Sequence, residues 1–306
     1  MARCFVSREL PGSALERLRA HHEVEVWPQS IPPSPEQLRA CVADCDGLIS
    51  LLSDKVDERL MRETPTLRAI ANYAVGVDNI DRDAARSRSI QVGNTPDVLT
   101  DSTADLAFAL LLACARRLPE AQQTVRDGRW VTWEPAGLLG MELRERVLGV
   151  VGYGRIGRAV ARRAEAFGMQ VIHVRSDGVG LDELLARSDI VTLHCPLTPA
   201  TDRLIDATRL AQMKPGAILI NTARGQIVDQ DALLHALQDG RLGAAGLDVA
   251  DPEPLPADDP LLAAPNLIVL PHIGSATHTA RERMAEMAVE NLLAALAGKA
   301  MPYRAA

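Results

Sequence analysis

The 306-residue chain has no long apolar run, no basic block, no cysteine framework and no tandem repeat or low-complexity tract. Each lack argues against a class of function. The longest apolar run, "LAFALLLACA" (106–115), is about half of what a bilayer crossing requires. Asp105 and Arg116–Arg117 flank it, so it reads as a buried helix. The N-terminal "MARCFVSREL" lacks the apolar stretch of a signal peptide. A net charge of -7 with no compensating basic cluster argues against nucleic acid or an anionic membrane as the main partner. Cys4, Cys41, Cys45, Cys114 and Cys195 form no closely spaced even set. Cys41 and Cys45 would lie one helical turn apart, but no histidine or second pair completes a metal site. Reduced thiols, no bound metal and a cytoplasmic location are the expectation. The proline-rich stretches 32–35 and 251–260 are too short to be disordered linkers.

What is present is an alternation of short apolar runs and amphipathic stretches. "RCFVS", "VEVW", "DGLISLL" and "LRAIANY" have strand character, with helical spacing between them in "SALERLRAHH", "PEQLRACVA" and "VDERLMRE". A second series follows: "RVLGVVG", "QVIHV", "DIVTLHC", "GAILINT", "GAAGLDV" and "NLIVLP", again separated by helical patterns. Strands that are apolar without alternation imply parallel sheets covered on both faces. Two such series predict two doubly wound α/β domains. Between them, 100–120 reads as one long linking helix, followed by an arm with two tryptophans. The final helix, 275–298, is long enough to return to the first domain. The expected division is 1–98 plus 277–306 as a discontinuous first domain. Residues 99–276 form the second domain, including the linking helix and arm (100–145).

One turn carries a specific chemistry. "RVLGVVGYGRIGRAV" (146–160) sets Gly152, Gly154 and Gly157 between an apolar strand and a helix. Gly152 suits the tight turn, Gly154 lets backbone approach a pyrophosphate, and Gly157 lets helix and strand pack closely. The helix N-terminus, opening on Arg155 and Ile156, then offers free N–H groups to phosphate. The next strand ends at Val174, where a dinucleotide fold usually places an acid for the adenosine ribose. Arg175 and Ser176 stand there instead. Guanidinium has only donors and pairs with a 2′-phosphate, so NADP(H) is favoured, with NAD(H) possible.

Three polar residues follow strands of the second series: Arg224, Glu253 and His272. Ligands of open parallel sheets bind at the carboxyl ends of strands. A 2-oxo acid needs a cation for its carboxylate and carbonyl, and a proton donor for the oxygen that becomes alkoxide. Imidazolium suits the donation, a carboxylate on its other nitrogen would fix the tautomer and raise its pKa, and Arg224 would stabilise developing charge.

The chain resembles the D-isomer-specific 2-hydroxyacid dehydrogenases over nearly its whole length. The motifs are "NYAVGVDNID" (72–81), "TADLAFALLLACARR" (103–117), 148–169, "SDIVTLHCPLTPATDRLI" (188–205), "MKPGAILINTARGQIVD" (213–229), "AAGLDVADPEPLP" (244–256) and "NLIVLPHIGSAT" (266–277). The resemblance implies a Rossmann cofactor domain and a flavodoxin-like substrate domain with an active-site cleft between them. It puts the catalytic Arg, Glu and His on Arg224, Glu253 and His272. Backbone amides around Val75 and Gly76 would hold the substrate carboxylate. Thr103, Cys195, Pro196, Thr201, Thr222, Ala223, Asp248, His272 and Gly274 would line the cofactor site. Within the family, 51–60, 128–140 and the Arg175–Ser176 pair look most like the glyoxylate/hydroxypyruvate reductase branch. That branch implies NADPH, a homodimer through the 119–145 arm, and Trp133 reaching the partner's substrate site. One departure is the segment "SDGVG" after Arg175, shorter than the usual family loop. The expected activity is reduction of a small 2-oxo acid with His272 as proton donor. Alternatives are a 3-phosphoglycerate, 2-ketogluconate or phosphite dehydrogenase, or a dinucleotide-sensing corepressor. A formate dehydrogenase would carry Gln where Glu253 stands.

Overall fold

The computed structural model describes residues 1–174 and 178–305. The chain divides into two compact units, Met1–Leu99 with the chain from Ala276 onward, and Thr100–Ser275.

The smaller unit begins with β1 (Arg3–Val6), α1 (Ala14–Arg19), β2 (Glu23–Val26), α2 (Pro35–Val42), β3 (Gly47–Ser50), α3 (Glu58–Glu63), β4 (Ala69–Asn72), α4 (Arg82–Ser87) and β5 (Gln91–Gly93). Its five strands lie in the order β2-β1-β3-β4-β5, every pair parallel. Successive side chains leave a strand on opposite faces, and here both faces are covered. Phe5, Leu48 and Ile70 belong to one core cluster, Cys4, Val6, Ile49 and Ala71 to the other. That is why β1, β3 and β4 read as nearly continuous apolar runs, while the edge strand β2 alternates.

The larger unit holds α5 (Thr100–Ala115), α6 (Leu118–Arg126), β6 (Val147–Val151), α7 (Arg155–Ala166), β7 (Gln170–Val174), α8 (Leu181–Arg187), β8 (Ile190–Leu193), α9 (Ala207–Gln212), β9 (Ala217–Asn221), α10 (Gln230–Gln238), β10 (Leu242–Leu247) and β11 (Leu267–Val269). Its all-parallel sheet runs β11-β10-β9-β8-β6-β7. The order reverses direction at β6 and β8, and in such sheets ligands bind beyond the carboxyl ends of strands at the reversal. Leu148, Val150 and Ile220 pack on one face, Val151, Leu193 and Leu219 on the other.

The last helix, α11 (His278–Leu296), returns to the smaller unit. Thr277 caps it, and Met284, Ala288 and Leu292 pack with Val6 and Ala71. The tail then covers the free edge of β5, with Asn94 N–H donating to Tyr303 O (3.0 Å) and Ala305 N–H to Val92 O (2.9 Å).

The two all-parallel α/β sheets match the expected fold class. One expected element is corrected: the helix foreseen over 100–120 is two helices. Pro119 has no N–H to bond the Ala115 carbonyl four residues back, and its ring would clash with that carbonyl, so α5 stops at Ala115 and Arg117 sits in the left-handed region at φ +53° as α6 begins. No helix among the described residues is long and apolar enough to cross a membrane, and no cluster of potential metal ligands occurs among them.

Candidate active site

In the larger unit, the loops after β9, β10 and β11 carry Arg224, Glu253 and His272. The buried Asn221, at the end of β9, shapes the first loop. Its Oδ1 accepts Ala223 N–H (3.0 Å) and its Nδ2 donates to Arg224 O (2.8 Å). Arg224 is thereby held extended, φ -146° and ψ 143°. At the next residue, a Cβ on Gly225 would lie 2.0 Å from Ala250 C and O, so only glycine lets the two loops pack this closely. The approach brings the Arg224 charge within electrostatic reach of Glu253.

Glu253 Oε1 accepts Ala250 N–H (3.0 Å), and Oε2 lies 2.8 Å from His272 Nδ1. Burial works to raise the Glu253 carboxyl. The hydrogen bond and charge of His272, the Ala250 N–H and the Arg224 charge outweigh it and hold the group below its ordinary range. Both side chains stay partly open, 25% exposed for His272 and 31% for Glu253. His272 is left-handed at φ +53°. Its N–H donates to Asp248 O (2.9 Å), while the Asp248 carboxylate takes the N–H groups of Ile273 and Gly274, each at 2.7 Å. Burial pushes the Asp248 carboxyl up, against those two N–H donors. With Nδ1 committed to Glu253, Nε2 is the ring nitrogen left for acid–base work.

The glycine turn follows β6. Gly152 has φ +94°, and a Cβ there would lie 2.4 Å from Cys195 N, so the turn presses on the chain leaving β8. A Cβ on Gly157 would lie 2.3 Å from Gly152 O. One on Gly154 would meet nothing within 4 Å. Two of the glycines are thus required by the protein's own packing and the third faces open space. Gly154 is also the N-cap of the 12-residue α7 and supplies no side-chain cap. Arg155, Ile156 and Gly157 follow in the first turn, whose N–H groups have no intrahelical acceptor. This set fits a dinucleotide pyrophosphate, which would sit on N–H groups at a helix N-terminus next to a residue without a side chain.

Around the turn, the segment from His194 through Pro196 is braced by Thr201. Its Oγ1 donates to Pro196 O (2.7 Å) and accepts Thr198 N–H (2.8 Å). His194 bridges two strand ends, with Nε2 2.9 Å from Thr192 Oγ1 and Nδ1 3.4 Å from Thr222 Oγ1. Burial pushes its pKa down to about 4. Thr103, in the first turn of α5, is buried, and its side chain would lie 3.3 Å from a Cβ on Gly274.

The remaining sequence-predicted residues belong to other segments of the chain. Val75 and Gly76 are half-buried in the smaller unit, in the loop after β4. Trp133 is in the arm after α6, 80% exposed. Arg175 and Ser176 lie outside the described residues. Sequence reasoning missed Asn221 and His194. Asparagine and histidine at strand ends carry no periodic signal, and their roles depend on which loop lies opposite.

Residues 108–274 match the family model for "D-isomer specific 2-hydroxyacid dehydrogenase, NAD binding domain". A glyoxylate reductase of Korarchaeum cryptofilum is 48% identical, over 98% of this chain and 94% of that protein. A Thermus thermophilus crystal structure superposes with a TM-score of 0.94 at 51% identity, covering 99% of this chain and all of the other. An NADPH-dependent glyoxylate/hydroxypyruvate reductase from Sinorhizobium meliloti, solved with NADP and malonate, gives 0.88 at 36% identity, over 100% and 97% of the two chains. The chain therefore belongs to the D-isomer-specific 2-hydroxyacid dehydrogenases, oxidoreductases that use a nicotinamide dinucleotide.

Proposed function

We propose that the protein reduces a small 2-oxo acid, glyoxylate or hydroxypyruvate, to the D-2-hydroxy acid, with NADPH preferred over NADH. The observation that carries this reading is the 2.8 Å pairing of His272 Nδ1 with Glu253, on the same sheet edge as the glycine turn. The substrate class is supported by the glyoxylate reductase named among the relatives.

Reduction needs a hydride at the carbonyl carbon, which a reduced nicotinamide dinucleotide supplies when bound at the Gly152–Gly157 turn. His272 Nε2–H gives the proton to the oxygen that gains charge. Glu253 stays ionised because its carboxyl is held low. It acts as a positioning residue, accepting Nδ1–H and so fixing the tautomer and orientation of the ring. The Arg224 guanidinium orients the substrate and offsets charge on the forming alkoxide. Backbone amides at Val75 and Gly76 hold the carboxylate. Arg175 and Ser176 select the 2′-phosphate. The arm pairs two chains, in keeping with the exposure of Trp130 (69%), Val131 (89%) and Trp133 (80%). An apolar strip that open on a folded chain marks an interface, and Trp133 would reach the partner's substrate.

The test is a turnover panel crossing glyoxylate, hydroxypyruvate, 2-ketogluconate and phosphite with NADPH and NADH. Fastest turnover with the first two substrates and NADPH is expected. Preference for 2-ketogluconate or phosphite would overturn the substrate assignment, and preference for NADH the cofactor assignment.

A further inference from the structure

In the smaller unit, three consecutive carbonyls after β4 are each bound by a different donor. Thr95 N–H donates to Ala74 O (2.9 Å), Asn94 Nδ2 to Val75 O (2.8 Å), and Asn72 Nδ2 to Gly76 O (2.8 Å). None of these peptide bonds is cis, and in a trans peptide the C=O and the following N–H point in opposite directions. Fixing the three carbonyls therefore turns the N–H groups of Val75, Gly76 and Val77 the other way. Those three N–H groups have no acceptor among the described residues. Successive amides displayed together form an anion-binding concavity.

The two asparagines are themselves held. Asn72 is fully buried. Its Oδ1 accepts Ser50 Oγ (2.9 Å) and Asn79 Nδ2 (3.3 Å), which leaves Nδ2 to donate to Gly76 O and to Asn79 Oδ1 (3.0 Å). Asn79 Nδ2 also ties the loop to Leu51 O (2.9 Å) and Asp54 O (3.0 Å). The main-chain oxygen of Asn94 accepts Nδ2 of the buried Asn291 on α11 (3.1 Å). The donors are thus held by Ser50 of β3, by Asn79 farther along the same loop and by Asn291 of α11.

We propose that Asn72 and Asn94 are positioning residues for the substrate carboxylate, and that the site they set has three backbone donors, Val77 N–H joining those of Val75 and Gly76. This rests on the 2-oxo acid reading given above. The donors are uncharged, so the substrate charge is met on this side by oriented dipoles, and their orientation is what the asparagines supply. A side chain that can no longer donate frees its carbonyl, and the amide behind it turns away from the anion.

The experiment compares wild type with Asn94→Asp, Asn94→Leu and Asn72→Asp in glyoxylate reduction at saturating NADPH. NADPH dissociation constants are measured by fluorescence on the same preparations. Asn→Asp keeps the shape and loses the donor. Loss of one oriented donor should raise the glyoxylate KM about tenfold or more, with kcat and NADPH binding within about threefold of wild type, as expected when binding common to ground and transition states is removed. Asn94→His, whose ring N–H can reach Val75 O, should recover part of the loss. A glyoxylate KM within about twofold of wild type in both Asn94→Asp and Asn94→Leu would overturn the proposal. So would a fall in kcat with KM unchanged, the mark of a merely structural defect. Wild type without glyoxylate turnover would instead remove the functional reading on which the proposal stands. Asn94 is only half-buried, so its variants decide the matter if Asn72→Asp does not fold.

Discussion

Asp248 Oδ2 accepts Gly274 N–H at 2.7 Å while Oδ1 takes the neighbouring Ile273 N–H at the same distance. One buried carboxylate at the end of β10 therefore fixes the two peptide groups that follow His272, and its main-chain oxygen fixes His272 N–H as well. The left-handed backbone of His272 costs energy for a residue with a side chain, so without this clamp the imidazole would not stay on Glu253. Asp248→Asn sets an amide NH₂ against one backbone N–H, donor against donor. The expected result is a loss of about 1–3 kcal/mol in unfolding free energy, read by thermal or urea denaturation, together with a lower kcat. Unchanged stability and kcat would show that the clamp is dispensable.

The three glycines of the turn should separate cleanly under substitution. Gly152→Ala puts a Cβ 2.4 Å from Cys195 N at a φ of +94°, so backbone must move. Gly157→Ala puts one 2.3 Å from Gly152 O. Both should destabilise the fold by more than about 1 kcal/mol, seen as a lowered Tm. Gly154→Ala meets nothing within 4 Å and should keep its Tm. Its Cβ would stand where phosphate approaches, so NADPH binding should weaken, by titration, about tenfold or more. Intact cofactor affinity in Gly154→Ala would place the pyrophosphate elsewhere.

The layered fold was legible because parallel strands buried on both faces leave runs such as "AILIN" and "IVTL" with no polar alternation. The three-residue β5, Gln91–Gly93, was not. It is too short to show a period, and it is secured by the chain tail, more than 200 residues away in sequence for Ala305 on Val92. The glycine turn was legible because steric demand selects the residue type locally. Glu253 and His272 stood out as polar groups beside strand ends. The bonds made by Asn72, Asn94 and Asn221 were invisible, because which carbonyl an amide reaches depends on the path of a loop and not on its composition.

His194 should impose a pH dependence on stability. Its folded pKa is about 4 against 6.5 unperturbed, because burial opposes the charged form. Between those values the unfolded chain binds the proton and the folded one does not, so stability rises with pH across that window and is lost as pH falls from about 6.5 toward 4. The contribution to the slope is at most about 1.4 kcal/mol per pH unit. His194→Gln keeps polar atoms near Thr192 and removes the titration. Its unfolding free energy should vary less steeply than wild type between pH 4 and 6.5, as measured by urea denaturation at a series of pH values. Parallel profiles would mean that His194 protonates in the folded protein without cost.

Arg175 supplies the test of cofactor choice. A guanidinium pairs with the 2′-phosphate, whereas a carboxylate repels it and accepts from a ribose 2′-hydroxyl. Arg175→Asp should lower kcat/KM for NADPH and raise it for NADH, moving the ratio by about a hundredfold or more. Selectivity for NADPH that survived the change would assign the phosphate to other residues.

The proton donor can be tested without disturbing the backbone that carries it. Asparagine tolerates the left-handed region better than most residues, so His272→Asn should leave the φ of +53° and the Asp248 clamp in place while removing the acid. Removal of a general acid should cost about 10²–10⁴-fold in kcat, with NADPH affinity and Tm close to wild type. The same loss should appear in the oxidation of D-glycerate, because the group that donates to the alkoxide in one direction must take the hydroxyl proton in the other. Glu253→Gln provides the graded comparison. It keeps an oxygen able to accept from Nδ1 but replaces a charge-assisted hydrogen bond with a neutral, weaker one that holds the ring less firmly, so its activity should fall between that of wild type and His272→Asn. If His272→Asn turned over at a rate near wild type in either direction, the proton would have to come from another group, and the 2.8 Å pair would be structural.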